Sequence, residues 1–146
     1  MGLSAYELFD EAIQKTQVWL NELRDELAWD HPPGVLVALR AALHTLRDRV
    51  PPAEAAHLGA QLPLLVRGLY YEGWRPAGEP WKERHREPFL ARVEHEMRGY
   101  SQQKDPEAVV RAVFRVLSRH VSEGEVQEVR RLLPAEIRDL WPRSDL

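Results

Sequence analysis

The sequence predicts an all-α protein, built as two tandem, similar helical units packed as one bundle, each with about three main helices and a third helix kinked at Leu-Pro. Three observations carry this reading. Apolar residues recur in alternating steps of three and four over most of the chain, the period of one helix face. No run of alternating apolar residues bounded by turns reads as a strand. The chain also repeats itself: displaced by 71 residues, positions 39–69 fall on 110–140 without a gap. The identities are Arg40/Arg111, Ala41/Ala112, Leu46/Leu117, Val50/Val121, Glu54/Glu125, Leu62/Leu133, Pro63/Pro134, Arg67/Arg138 and Leu69/Leu140. Such a repeat sets architecture before any local reading.

The first helix opens at Ser4-Ala5-Tyr6-Glu7, a capping-box sequence, with Leu3 placed to staple onto Leu8. Tyr6, Phe9, Ile13, Thr16, Leu20, Leu23 and Leu27 then form one stripe expected to face inward. Asp30-His31-Pro32-Pro33-Gly34 ends it. The second helix carries Leu39, Ala42, Leu43, Leu46 and Val50 on one face, and its repeat partner carries Val110, Val113, Phe114, Leu117 and Val121. Asp105-Pro106-Glu107 starts that partner with an N-cap acid and a proline whose missing N–H costs nothing there.

Ser122-Glu123-Gly124-Glu125 reads as another capping box, with Glu125 as its reciprocal acid. At Leu62-Pro63 and Leu133-Pro134 the proline pushes the preceding residue out of helical geometry. A short helix follows each, holding Val66 or Ile137 and Leu69 or Leu140 inward; Gly73 closes the first and Pro142 stops the second. A helix from Pro88 to about Tyr100 aligns Phe89 and Val93 with Phe9 and Ile13 at an offset of 80. The chain thus reads as one domain, 1–146, with repeats over 1–74 and 84–142 and a linker at 73–84, holding six main helices plus short extras. Neither half buries enough surface alone, so the two are expected to share a core.

Composition narrows the function classes. At 146 residues, 44% hydrophobic and 29% charged, the chain is globular. A net charge of −3 is not the footprint of a nucleic-acid binder. There are no cysteines, which removes disulfides, thiolate metal sites and cysteine nucleophiles. The start has no basic region followed by an apolar run, and no stretch has the roughly 18 apolar residues of a membrane span. A cytoplasmic protein is expected. Arginine outnumbers lysine 17 to 3, which GC-rich coding explains.

A family resemblance is carried by three segments: Leu39-Arg40-Ala41-Ala42-Leu43-His44-Thr45-Leu46-Arg47-Asp48-Arg49, Ala60-Gln61-Leu62-Pro63, and Gly68-Leu69-Tyr70-Tyr71-Glu72-Gly73-Trp74. The second half adds Leu133-Pro134-Ala135-Glu136-Ile137-Arg138 before Leu140-Trp141-Pro142. Over essentially its whole length the chain resembles the bacterial family catalogued as domain of unknown function two-two-six-seven. The resemblance implies an all-helical bacterial cytoplasmic protein. It implies no activity, cofactor or catalytic residue.

The most unusual segment is 70–81, Tyr70-Tyr71-Glu72-Gly73-Trp74-Arg75-Pro76-Ala77-Gly78-Glu79-Pro80-Trp81, which interrupts the repeat. Tyrosine and tryptophan dominate interface hot spots. Tyr70, Tyr71, Trp74 and Trp81 read either as a strap that pins the linker to the bundle or as a partner or ligand surface, and the two roles can coexist. Arg67 and Arg138 are equivalent in the repeat. They read as helix bridges or carbonyl caps, or else as an anion site.

The best functional expectation is a non-enzymatic protein-interaction module without cofactors, homodimerisation being open. The alternative is a small-ligand or anion-binding regulator, with a cleft between the halves lined by Tyr70, Tyr71, Trp74, Arg67 and Arg138. An enzyme would require perturbed acids there, such as Glu72 or Glu79.

Other constellations are weak. No pair among His31, His44, His57, His85, His95 and His120 has the spacing of two metal ligands on one helix face. His95-Glu96 lacks a second histidine at Gly99, and no metal is expected. His44 and His120 exchange with arginine in the repeat, which suggests surface. Arg111, Arg115 and Arg119 form a basic stripe, echoed by Arg40 and Arg47, offset by Asp48 and Glu107. Ser4, Ser101, Ser118, Ser122 and Ser144 occupy no nucleophile elbow, and the glycines form no phosphate loop.

Overall fold

The computed structural model describes residues 4–99 and 105–143. Over these residues the chain is helical, without strands: α1 (Ala5–Leu27), α2 (Pro32–Arg49), α3 (Pro52–Ala60), α4 (Leu64–Tyr71), α5 (Arg86–Glu96), α6 (Pro106–His120), α7 (Glu123–Leu132) and α8 (Ala135–Arg138). Leu3, Tyr100, Ser101 and Ser144, which the sequence reading uses, lie outside the described residues.

Local chemistry sets most boundaries. The Ser4 capping box closes both ways, Glu7 N–H to Ser4 Oγ at 3.2 Å and Ser4 N–H to Glu7 Oε2 at 3.1 Å. Asp105 accepts from the Glu107 N–H at 3.0 Å. The Leu-Pro steps break the helix rather than kink it. Pro63 and Pro134 take nearly the same extended geometry, φ −66, ψ 159 and φ −64, ψ 155, as N-caps of α4 and α8. The end of α1 differs from expectation: Ala28, not the Asp30–Gly34 stretch, turns the chain, at φ 55, with its N–H on the Arg24 and Asp25 carbonyls. Gly34 lies inside α2. α5 stops at Glu96, short of Tyr100, and Gly99 takes φ +95.

α2 and α6 form the central pair. α2 packs on α1, α3, α4, α5 and α6, and α6 packs on α1, α2, α5 and α7. Their faces supply Leu39, Leu43, Leu46, Val113, Phe114 and Leu117, all fully buried, so the two halves share one core. Each such side chain contributes roughly 1.5–3 kcal/mol by leaving water. Phe114 stacks on Trp141 at 4.2 Å, and the Trp141 indole N–H donates to Ser118 Oγ at 2.7 Å.

Three expectations about surface and core change. His44 is buried, its Nε2 2.7 Å from the Leu69 carbonyl oxygen. Burial lowers its pKa below the ordinary histidine value. Arg47 is buried too, donating to the Tyr70 and Glu72 carbonyls at 2.7 and 2.8 Å. The basic stripe of α6 is offset chiefly by α1: Arg115 pairs with Glu26 and Arg119 with Glu22 and Glu26, while Arg111 pairs with Glu107. Asp48 instead binds Arg47 and Arg92.

Finally, the apolar stripe of α1 splits. Leu23 is buried, with Trp19 outside the stripe buried beside it, but Tyr6, Phe9 and Ile13 are exposed.

Candidate functional site at the seam of α3 and α7

The aromatic linker is largely absorbed by its own bundle. Tyr70 is wholly buried, its hydroxyl donating to the Ala55 carbonyl at 2.7 Å, so it belongs to no surface. Burial pushes its phenol pKa up. Tyr71 is half-buried, meeting Tyr70 edge-on at 5.0 Å and Trp74 at 5.2 Å. It also crosses Gly59 so closely that a Cβ there would stand 2.2 Å from its hydroxyl oxygen. Trp81 stacks on Phe89 at 6.1 Å, and the Arg92 guanidinium lies over its ring at 4.4 Å. Arg47 and Arg49 hold linker carbonyls, and Arg40 pairs with Glu72.

Arg67 and Arg138 do not converge on a cleft. Arg67 Nε donates to the Gly59 carbonyl at 3.0 Å and its Nη2 to that of Leu62 at 2.8 Å. Arg138 does the same 71 residues on, to Arg130 at 2.9 Å and Leu133 at 2.8 Å. Each guanidinium satisfies carbonyls at the end of the preceding helix. The ligand cleft expected from Tyr70, Tyr71, Trp74, Arg67 and Arg138 is therefore not the arrangement found. A shallow open concavity lies elsewhere, lined by His85, Arg86, Glu87, Pro88 and Glu136. Within it His85 Nδ1 is 2.7 Å from Glu136 Oε2, and Arg86 pairs with Glu107.

The chemically unusual place is the seam where α3 packs on α7. Glu54 and Glu125 each occupy the first turn of their helix, where the helix dipole favours negative charge. Glu125 does not complete the expected capping box. Ser122 Oγ accepts from the Glu125 N–H at 3.2 Å, but the Ser122 N–H goes to Gln61 Oε1 at 2.7 Å. Gln61 Nε2 returns a bond to Ser122 Oγ at 3.1 Å. A residue from the end of α3 thus displaces the acid from its local partner.

Glu125 turns to Glu54 instead. One oxygen from each, together with a His57 ring nitrogen, lie within 4.8 Å of one another. Glu54 Oε1 and Glu125 Oε2 are both buried with no hydrogen-bond partner. Glu54's side chain is 6% exposed and His57's 71%, their Oε2 and Nδ1 being 3.5 Å apart. Burial, then the facing Glu54 carboxyl and the Glu128 charge, push the Glu125 pKa up to about 7. A partly buried carboxyl poised near neutrality can exchange a proton or accept a cation in its place.

Two features hide this cluster in the sequence. Glu54 and His57 are an acid and a histidine three apart on one helix rather than paired histidines. Glu125 also has the local spacing of a cap. The signal available was the Glu54/Glu125 identity in the repeat, beside that Glu-x-x-His spacing.

Fold and seam together define an all-helical bundle in which a buried and a partly buried carboxyl meet between two of its helices. The chain belongs to the family described as uncharacterized conserved protein (DUF2267), whose model matches residues 16–140. No curated protein matches the chain. Among the described residues, no helix is long and apolar enough to cross a membrane.

Proposed function

We propose that the protein is a non-enzymatic helical interaction module that pairs with a second copy of itself through the N-terminal half of α1. The observation that carries this reading is the exposed half of the α1 stripe. Every residue from 4 to 10 is exposed, and large apolar side chains stand out there and one turn on: Tyr6 is 83%, Leu8 54%, Phe9 62% and Ile13 54% exposed. Tyr6, Phe9 and Ile13 continue the row that buries Leu23 farther along the same helix.

A helix end this exposed gains little from tertiary packing and frays unless something covers it. Its capping box and the Glu11–Lys15 pair at 3.0 Å hold only the local geometry. The 3–4 spacing is self-complementary in an antiparallel pair centred near Glu11. Phe9 would face Ile13 of the second copy, and Tyr6 would face Thr16. A two-fold contact of this sort uses one patch twice, and each large apolar side chain it covers contributes roughly 1.5–3 kcal/mol. The docking surface therefore passes from segment 70–81, whose aromatics are engaged by the chain's own bundle, to α1. Tyr6, Phe9 and Ile13 lie ahead of residues 16–140, which the family model matches.

Sedimentation equilibrium on the wild type and on the Phe9→Asp/Ile13→Asp variant tests it. A wild-type dimer and a monomeric variant of equal helicity are expected. A monomeric wild type, or a variant that remains dimeric, refutes the reading.

A further inference from the structure

We propose that Glu54, His57 and Glu125, with Glu128 at the mouth, form a binding site for a first-row divalent transition ion at the α3–α7 seam. Two helices contribute one pair each: Glu54 and His57 from α3, and, 71 residues later, Glu125 and Glu128 from α7. An acid followed three residues on by a histidine places both side chains on one helix face, the pattern by which helical bundles hold metals between facing helices.

The buried oxygens point to a cation. Glu54 is more than nine-tenths buried, yet its Oε1 meets no donor, and the buried Oε2 of the partly exposed Glu125 meets none either. Two desolvated acceptors facing one another are costly. A single shared proton joins two facing oxygens but leaves one negative charge in the seam, whereas a divalent ion meets both oxygens and offsets both charges. The geometry is within reach. Ligand atoms at most 4.8 Å apart surround a centre about 2.8 Å from each, if evenly spaced. A contraction of less than about 1 Å brings them to the roughly 2.0–2.2 Å of nitrogen and oxygen ligands.

His57 can make that adjustment because its side chain is 71% exposed. The same opening admits the ion and its remaining waters. Glu128 is held by Arg131 at 2.6 Å, and ion binding would compete with that surface pair, which is weak. Imidazole with carboxylates and no thiolate suits ions from Mn²⁺ to Zn²⁺; Mg²⁺ prefers oxygen and water alone.

The test is titration calorimetry of tag-free, full-length protein with Zn²⁺, Mn²⁺ and Mg²⁺ separately. Electron paramagnetic resonance of free Mn²⁺ gives an independent readout. The wild type is expected to take up one Zn²⁺ or Mn²⁺ per chain and to bind Mg²⁺ at least tenfold more weakly. Glu125→Gln and His57→Ala are each expected to weaken Zn²⁺ binding tenfold or more. His57→Ala alters an exposed side chain, so a folding defect does not confound it, and circular dichroism checks both variants. No saturable uptake by the wild type overturns the proposal in favour of a shared proton alone. Uptake that survives both substitutions overturns it in favour of other surface ligands, and equal affinity for Mg²⁺ overturns the choice of ion.

Discussion

Replacing Glu125 by glutamine should stabilise the fold near pH 8 and cease to do so near pH 5. The folded chain holds the Glu125 proton up to about pH 7, whereas the unfolded reference value is 4.5. The native state therefore binds more protons than the unfolded state between these values. The stability associated with that proton is fully present below the unfolded value and is lost as pH rises through about 7.

A shift of this size corresponds to a ceiling of about 3 kcal/mol at about 1.4 kcal/mol per unit. Glu125 is only partly buried, and solvent screening reduces this to about 1–2 kcal/mol. Glutamine carries no charge at any pH and adds an N–H donor facing the unpartnered oxygen of Glu54. Urea unfolding of both proteins at the two pH values, without added metal, measures the difference. The expected result is a gain of about 1–2 kcal/mol at pH 8, shrinking toward zero at pH 5. An equal loss at both pH values would refute the argument, because the carboxylate would then be acting as a structural cap. The same substitution is expected to gain stability and lose the ion, as when a fold tolerates strain for a site.

Further expectations concern the core and the caps. Burial lowers the pKa of His44, so the stability linked to its neutral form is present above pH 6.5 and is lost as pH falls through the lower folded value. Titration of the His44 ring by NMR should give a midpoint below 6.5, and a midpoint at or above it refutes the assignment. Arg67→Ala and Arg138→Ala each remove charge-assisted bonds to carbonyls. Each should cost about 1.5–3 kcal/mol in urea unfolding, whereas residues serving a ligand would leave stability unchanged. Phe114→Ala removes a fully buried ring stacked on Trp141. A loss of about 3–5 kcal/mol is expected, and a loss under about 1 kcal/mol would mean that the halves do not share the core described.

Much of the helical scaffold was legible because its determinants are local. Ser4, Asp105 and the Leu-Pro steps act on backbone groups within a few residues, so their geometry follows from neighbours in the chain. The inward faces of α2 and α6 were legible in the same way. The candidate sites were less so. Periodicity identified the α1 face but not how far the bundle reaches along it, and Tyr6, Phe9 and Ile13 extend beyond that reach. Tyr70 shows the converse: an aromatic in a Gly- and Pro-rich stretch reads as surface, yet it lies on the last turn of α4 and fills the core beside Ala55.

By itself, then, the sequence determined the helical class, the starts and stops of most helices and the equivalence of Glu54 with Glu125. The tertiary structure alone decided what those two acids do. A cap is a contest between donors and acceptors close at hand, and local spacing favoured Glu125 at the Ser122 N–H. Packing α3 against α7 brought in Gln61 from 61 residues away, and its amide took the cap. The displaced carboxylate was left facing Glu54 across a seam that neither helix possesses alone.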